Sequence, residues 1–132
     1  MLRILLWLFL SAGLLACKKY RTTAETEINL SECSTVWIKG DNTKLCYDSL
    51  VQDSRCPVDA VCYWEGLANV KLTLQVGNAQ YLLQLSTADN HPYFKKIDTA
   101  GYRVELLDVH PYPGFSTRSS FTPFIKVKVT AR

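Results

Sequence analysis

Hydrophobic and polar residues alternate with a period of two over several short stretches of the chain. From Val70 to Val76 every second residue is aliphatic, and Lys, Thr and Gln lie between. The stretch 125–130 repeats the pattern with Ile and Val against Lys and Thr. Such alternation is typical of a β-strand that buries one face. Gly77-Asn78 lies between the first stretch and a return run in which Tyr81, Leu83 and Leu85 share one side, which predicts a two-residue hairpin turn.

Three weaker stretches, 36–39, 44–51 and 102–109, predict further strands. In the third, Val104 and Leu106 share one parity while Leu107 and Val109 take the other, so we expect a β-bulge or a strand covered on both faces. No window of ten or more residues carries a helical stripe. The pattern therefore predicts an all-β fold, a small antiparallel β-sandwich or a small barrel, with six to eight strands.

The N-terminal segment has a different pattern from the rest. Arg3 supplies one positive charge, and residues 4–16 form an uncharged apolar run that ends in Ala16. A helix of this length spans about 20 Å, which is short of the ~30 Å hydrocarbon core of a bilayer. We therefore interpret residues 1–16 as a cleaved secretory signal.

The residues at the end of this run point to a specific kind of export. Leu14-Leu15-Ala16-Cys17 resembles the lipobox of bacterial lipoproteins. The resemblance implies cleavage before Cys17, a diacylglyceryl group on its thiol and acylation of its amino group, which together hold a protein firmly on a membrane. An ordinary signal peptide with a nearby cysteine is the alternative. Lys18 stands where an Asp signals inner-membrane retention in enterobacteria, so we expect a lipid-anchored protein of the cell envelope, in the outer rather than the inner membrane.

Composition then divides the mature chain. Residues 18–29 are polar with a single aliphatic residue other than Ala, so 17–29 are expected to be the lipidated cysteine and a flexible tether, and 30–132 one domain. The chain has 15 basic and 12 acidic residues, and loss of Arg3 leaves 14 against 12. No basic stripe indicates a nucleic-acid partner, and we expect a monomer.

Four cysteines remain once Cys17 carries lipid. An even number in an exported chain implies disulfides, with three possible connectivities. We favour Cys56–Cys62, which closes a short loop, and Cys33–Cys46, which flanks a turn expected at Gly40-Asp41-Asn42. A four-thiolate zinc site is the alternative, but neither C-x₁₂-C nor C-x₅-C has the usual zinc spacing. The C-x-x-C spacing of a redox site is also missing, so no metal or cofactor is expected.

Catalytic motifs are missing from the sequence. His91 and His110 each precede a proline and are interpreted as turn residues. There is no G-x-S-x-G nucleophile elbow and no H-E-x-x-H metal motif. We therefore expect that the protein is not an enzyme, and an enzyme whose site gathers dispersed residues is the alternative.

The most distinctive motif is Asp53-Ser54-Arg55-Cys56-Pro57 followed by Cys62-Tyr63-Trp64-Glu65-Gly66. It resembles a group of small secreted or lipid-anchored bacterial proteins with a D-S-R-C-P…C-x-W-x-G signature, in which a P-Y-P segment comes later, as at Pro111–Pro113 here. The similarity would cover most of residues 35–130. This chain departs from the group at Glu65, where many relatives have a small residue, and in the extra pair of cysteines. The resemblance implies fold and location, with no activity.

Two interpretations of this motif are open. In the structural one, the disulfide closes a loop, Trp64 covers the edge of the sandwich, and Asp53 or Arg55 holds loop backbone by hydrogen bonds. In the functional one, Arg55, Tyr63 and Trp64 form a rigid binding loop, because these residue types dominate binding hot spots.

The function expected from the sequence is accordingly that of a lipid-anchored envelope protein. Its non-catalytic β domain would bind a protein or glycan partner or serve structurally. A protease inhibitor that presents the Cys56–Cys62 loop, with Arg55 or Tyr63 entering a specificity pocket, is the alternative from another class.

Overall fold

Eight β-strands make up the regular structure of residues 21–89, 92–114 and 121–132, the part of the chain described by a computed structural model. The expected all-β class is confirmed, with a strand number at the upper limit of the prediction. The strands are β1 Thr23–Asn29, β2 Cys33–Ile38, β3 Asp41–Asp53, β4 Ala68–Val76, β5 Ala79–Ser86, β6 Lys96–Thr99, β7 Tyr102–His110 and β8 Phe124–Ala131.

The strands form two four-stranded antiparallel sheets, in the orders β1-β8-β7-β6 and β2-β3-β4-β5. Inward side chains from both sheets, such as Leu72 and Leu106, are fully buried in one shared core. Burial of this apolar surface is the main stabilising term of the fold. The described strands therefore make a β-sandwich, and the barrel alternative is wrong.

The irregularity expected in the 102–109 stretch is a β-bulge. The register of β7 on β8 shifts between Leu106 and Asp108. The extra residue returns Val109 to the core, where it is buried, after Leu107 has taken the opposite parity. The hairpin turn expected between β4 and β5 is also confirmed, with Gly77 at φ 58°.

The predicted tether is wrong over residues 23–29, which form β1 and pair with β8. Ile28 of this strand is buried in the core. The polar composition was misleading because Glu25 and Glu27 lie on the solvent side, where they form ion pairs with Lys128 and Lys126 of the neighbouring strand. The domain thus includes β1 rather than beginning at residue 30, and residues 17–20 lie outside the described part.

Two further local predictions need correction. The turn expected at Gly40-Asp41-Asn42 lies at Lys39-Gly40 instead, and both of these residues have positive φ angles, 52° and 87°. A two-residue turn of this kind matches the twist of the flanking strands, and a lysine in it gives no sequence signal. Strand β6 was not predicted, because its four residues include a single aliphatic side chain, Ile97.

Both favoured disulfides are confirmed. Cys33–Cys46 joins directly opposite residues of β2 and β3, and Cys56–Cys62 closes the loop that follows β3. Each bond ties together segments that are close in sequence, so each restricts the unfolded chain only locally.

The two ends of the sandwich differ in what they carry. The terminal end, as we call it, holds both ends of the described chain, because Lys39 N–H donates to the carbonyl of Arg21, and Arg132 N–H donates to that of Gly101. The opposite end, the loop end, carries the long connections 54–67 and 111–114. Seven residues of β1 separate the two ends by roughly 23 Å.

A buried tyrosine gives the fold an alkaline sensitivity. Tyr47 of β3 is fully buried, and its hydroxyl has no hydrogen-bond partner among the described residues. Burial raises the pKa of Tyr47 to about 12, while the charge of Arg55 lowers it and that of Asp53 raises it by smaller amounts. The pKa of tyrosine in model peptides, which stand for the unfolded chain, is about 10.

We therefore expect the contribution of Tyr47 to the free energy of unfolding to be constant below pH about 10 and to fall as the pH rises towards about 12. Tyr47→Phe removes the titrating group without opening a cavity. Urea denaturation at a series of pH values should show the wild type losing stability relative to the variant across this interval. A stability difference that does not change with pH would contradict the assignment.

Candidate functional site

The loop end is organised around the guanidinium of Arg55, which is only 5% exposed. Its Nε donates to Asp53 Oδ1 at 2.9 Å and its Nη2 donates to Asp53 Oδ2 at 2.7 Å, a two-pronged ion pair. The backbone N–H of Arg55 donates to the same carboxylate at 3.2 Å. Asp53 is the last residue of β3, so the ion pair fixes the direction in which the chain leaves the second sheet.

The remaining donors of Arg55 reach the other sheet. Nη1 donates to the carbonyl of Val109 in β7, and Nη2 donates to the carbonyl of Pro111 at 3.1 Å. The ring of Tyr112 covers the guanidinium with its centroid 4.2 Å from Cζ, a cation–π contact. One side chain thus joins the end of β3 to the P-Y-P segment, Pro111–Pro113. We call this arrangement the Arg55 hub.

The hub keeps its charge. Burial alone lowers the pKa of Arg55, but the hydrogen bonds and negative charge of Asp53 outweigh it, so the pKa is raised above its ordinary value. Burying a charge without a partner costs free energy. The folded state therefore needs the acceptors that both sheets supply to the Arg55 guanidinium.

The loop between Asp53 and Leu67 is folded back on itself. Ser54 N–H donates to the carbonyl of Leu67 and Cys56 N–H to that of Glu65, both at 2.8 Å. Gly66 has φ +65°, and a Cβ at this position would lie 1.8 Å from the carbonyl oxygen of Ser54. Only glycine allows this close approach, which explains why the motif ends in Gly.

The three residues predicted as a binding loop separate in the structure. Arg55 does not belong to an exposed binding surface, because its guanidinium is buried and hydrogen-bonded within the hub. This part of the prediction is wrong. Tyr63 and Trp64 are 97% and 76% exposed, and their rings meet edge to face with centroids 5.6 Å apart. Trp64 therefore does not cover the edge of the sandwich. Tyr63 and Trp64, with the fully exposed Val61, form what we call the aromatic tip.

A groove of about 420 Å³ lies beside the hub. Four of the five prolines of the chain line it, at positions 57, 111, 113 and 123, and we call it the proline groove. Sequence reasoning missed this feature, because the prolines come from two connections that are far apart in sequence, Pro57 from the one after β3 and the other three from the one after β7. The available sequence signal was that all four prolines lie in connections between strands. The other lining residues are Leu50, Asp53, His110, Tyr112, Gly114 and Phe121.

The proline carbonyls around the groove already accept hydrogen bonds from other parts of the domain. Those of Pro57, Pro113 and Pro123 accept from the backbone N–H groups of Ala60, Val58 and Leu30, and that of Pro111 accepts from Arg55. A proline has no N–H of its own. The groove walls are therefore mainly apolar and aromatic, and they are suited to apolar contact rather than to hydrogen bonding.

His110, interpreted from the sequence as a turn residue, is the last residue of β7 and lies at the groove. Its Nε2 is 2.9 Å from Asp108 Oδ2, and its ring stacks on Phe124 at a centroid distance of 4.7 Å. The contacts of the ring are thus structural ones within the first sheet. His91 lies outside the described residues.

The described ranges contain no group of three or more His, Cys, Asp or Glu side chains placed to bind a metal ion. No helix long and apolar enough to cross a membrane occurs in that same part of the chain. Cys17 and the apolar run before it lie outside it.

Comparisons with protein-family models, with curated proteins and with solved structures found no match for the chain. The resemblance of the D-S-R-C-P…C-x-W-x-G motif to a group of bacterial proteins therefore stays a prediction.

Removing the charge of the hub should destabilise the domain strongly. Arg55→Met keeps most of the side-chain volume but leaves Asp53 unpaired, so we expect a loss of about 3–5 kcal/mol in the free energy of unfolding. Arg103→Met is the matched control, because Arg103 makes an ion pair of the same length, 2.7 Å, with Asp98 on the surface. Urea denaturation of both variants measures the two losses in the free energy of unfolding. Equal losses would show that the buried hub stabilises the domain no more than the surface ion pair does.

Proposed function

We propose that this chain is a lipid-anchored protein of the cell envelope whose β domain binds a protein or glycan partner through the aromatic tip and catalyses no reaction. The observation that carries the proposal is a pair of exposed aromatic side chains directly beside a covalently closed loop. Tyr63 and Trp64 adjoin Cys62, which is bonded to Cys56.

The two disulfides support export, since such bonds persist in oxidising compartments outside the cytosol. The terminal end of the sandwich is also close to the proposed lipid. Residues 18–22 lie between Cys17 and β1, and five residues span at most about 18 Å. Attachment through Cys17 leaves the loop end, on the other side of the sandwich, clear of the attachment point.

Rigidity supports a binding role for the tip. Tyr and Trp supply large contact areas, and side chains held on a fixed loop lose little entropy when they bind. The disulfide closes the loop, Val58 N–H donates to the carbonyl of Pro113 at 3.0 Å, and the Arg55 hub fixes the segment that carries Pro113. The aromatic tip is thus presented on a backbone that is tied at several points.

Protease inhibition is the second candidate, and the exposure of the closed loop favours it. Val58 is 66% exposed and Val61 is fully exposed. Arg55 is buried and is not available to enter a specificity pocket, so an inhibitor of this design would use Tyr63 or a loop valine. A panel of secreted proteases tests it: inhibition at micromolar protein supports this candidate, and no inhibition of any member removes it.

The anchor is tested on the native protein. We expect the mature chain to begin at Cys17 and to carry the mass of a diacylglyceryl group plus an amide-linked acyl chain. Cys17→Ser should abolish the lipid mass and release the protein from the membrane fraction. Intact-mass spectrometry and fractionation measure both, and a native chain that retains Met1 or lacks acyl mass would contradict the anchor.

The tip is tested by two tryptophan variants. Trp64→Ala should lose the species that are crosslinked to the wild type in the native envelope, because it removes the larger ring of the tip. Trp37→Ala is the control, since Trp37 is 62% exposed on β2 and does not belong to the tip. Mass spectrometry of the captured species compares them. If Trp64→Ala captures the same species as the wild type, the tip is not the contact.

A further inference from the structure

Charge is distributed unequally between the two ends of the sandwich. The described connections and chain ends at the terminal end are 21–22, 39–40, 77–78, 100–101 and 132, and their charged residues are all basic: Arg21, Lys39 and Arg132. The described connections at the loop end carry mostly acidic residues instead: Glu32, Asp59, Glu65 and Asp89 against Arg55 and Lys95. Arg55 is moreover buried and paired with Asp53. The domain is therefore basic at one end and acidic at the other.

The basic residues of the terminal end form one continuous patch. Lys39 N–H donates to the carbonyl of Arg21 at 3.1 Å, and Lys39 Nζ donates to that of Arg132 at 3.0 Å. Arg132 Nη1 lies 2.6 Å from one oxygen of Asp98, and Arg103 Nε lies 2.7 Å from the other. These contacts link four basic residues, Arg21, Lys39, Arg103 and Arg132, which we call the basic end.

Two carboxylates neighbour the basic end without cancelling its charge. Asp98 is shared by Arg103 and Arg132, and Asp41 Oδ2 accepts from the hydroxyl of Tyr102 at 3.4 Å. Four positive side chains thus face two negative ones, and a further carboxylate at the end of the chain would still leave an excess of positive charge. Lys18 and Lys19 stand between Cys17 and Arg21 in the sequence and increase that excess.

We propose that the basic end binds the anionic headgroups of the membrane to which the chain is attached. This role rests on the anchor proposed above, because a lipid on Cys17 brings the terminal end to the bilayer. A basic residue near an anionic membrane surface strengthens binding about fivefold. The attraction acts within a Debye length of about 8 Å at physiological salt. The acidic connections lie at the other end of the strands, roughly 23 Å away, and are screened from the surface.

The same charges orient the domain on the membrane. An anionic surface attracts the basic end and repels the acidic connections, so the strands should stand away from the bilayer with the aromatic tip on the far side. A nucleic acid could meet the same positive charges, but it gives no reason for their position beside the anchored end of the chain. The position of the patch therefore favours a lipid surface as its partner.

Vesicle binding tests the proposal on a chain that begins at Lys18, which carries no lipid but contains all eight strands. We expect this chain to sediment at low salt with vesicles of phosphatidylcholine and phosphatidylglycerol, and not with vesicles of phosphatidylcholine alone. Circular dichroism shows whether it is folded. The result does not depend on Cys17, so a failure here and a failure of the anchor, which the mass of the native protein tests, are distinguishable.

Two double variants with the same loss of charge locate the contact. Arg21→Gln with Lys39→Gln removes two charges from the basic end. Lys71→Gln with Lys95→Gln is the matched control, because Lys71 is exposed in the middle of β4 and Lys95 belongs to the connection that leaves the loop end. We expect binding to be roughly 30-fold weaker in the first variant (about fivefold for each basic residue near the surface) and little changed in the control.

Several outcomes would overturn the proposal. One is the absence of binding to vesicles with phosphatidylglycerol, and another is an equal loss in the two variants, which would show that net charge and not the basic end decides binding. Release of the protein by inorganic phosphate at constant ionic strength would indicate a site for a single phosphate instead of a surface. On the vesicles, acetylation of Lys39 should be slower than in solution and that of Lys71 unchanged, and protection of Lys71 in place of Lys39 would contradict the orientation.

Discussion

The ion pair between Arg55 and Asp53 is the interaction on which the loop end depends. A guanidinium this deeply buried is stable only if its donors are satisfied, and the acceptors come from both sheets. The carboxylate is supplied by the end of β3, and the carbonyls of Val109 and Pro111 by the end of β7. The same side chain therefore fixes where one sheet ends, how the P-Y-P segment leaves the other, and where Tyr112 rests.

The core, the terminal end and the loop end of the domain differ in structure. Its core is an ordinary two-sheet sandwich, and its turns at the terminal end are short. The long connections lie together at the loop end, where the hub and one disulfide convert them into a fixed support. Tyr63 and Trp64 can stay exposed there because the loop backbone is held by Gly66, by Cys56 and by hydrogen bonds rather than by burial of the rings. Exposed aromatic rings on rigid backbone are well suited to binding.

The sequence predicted the parts of this structure that depend on local pattern. Alternation located six strands, parity located the bulge before Val109, and cysteine spacing selected both disulfides. It failed where distant residues decide the outcome. β1 resembled a tether because its charges are matched by lysines about a hundred positions away, and Arg55 was assigned to a binding surface because nothing local shows that carbonyls from β7 would bury it.

The most direct test of the hub is amide hydrogen exchange in Arg55→Met compared with the wild type. If the hub holds the loop against the P-Y-P segment, the Val58 amide, which donates to the carbonyl of Pro113, should lose more protection than the Leu72 amide in the centre of β4. Equal losses at the two amides, or unchanged protection at Val58, would show that the loop is fixed without Arg55.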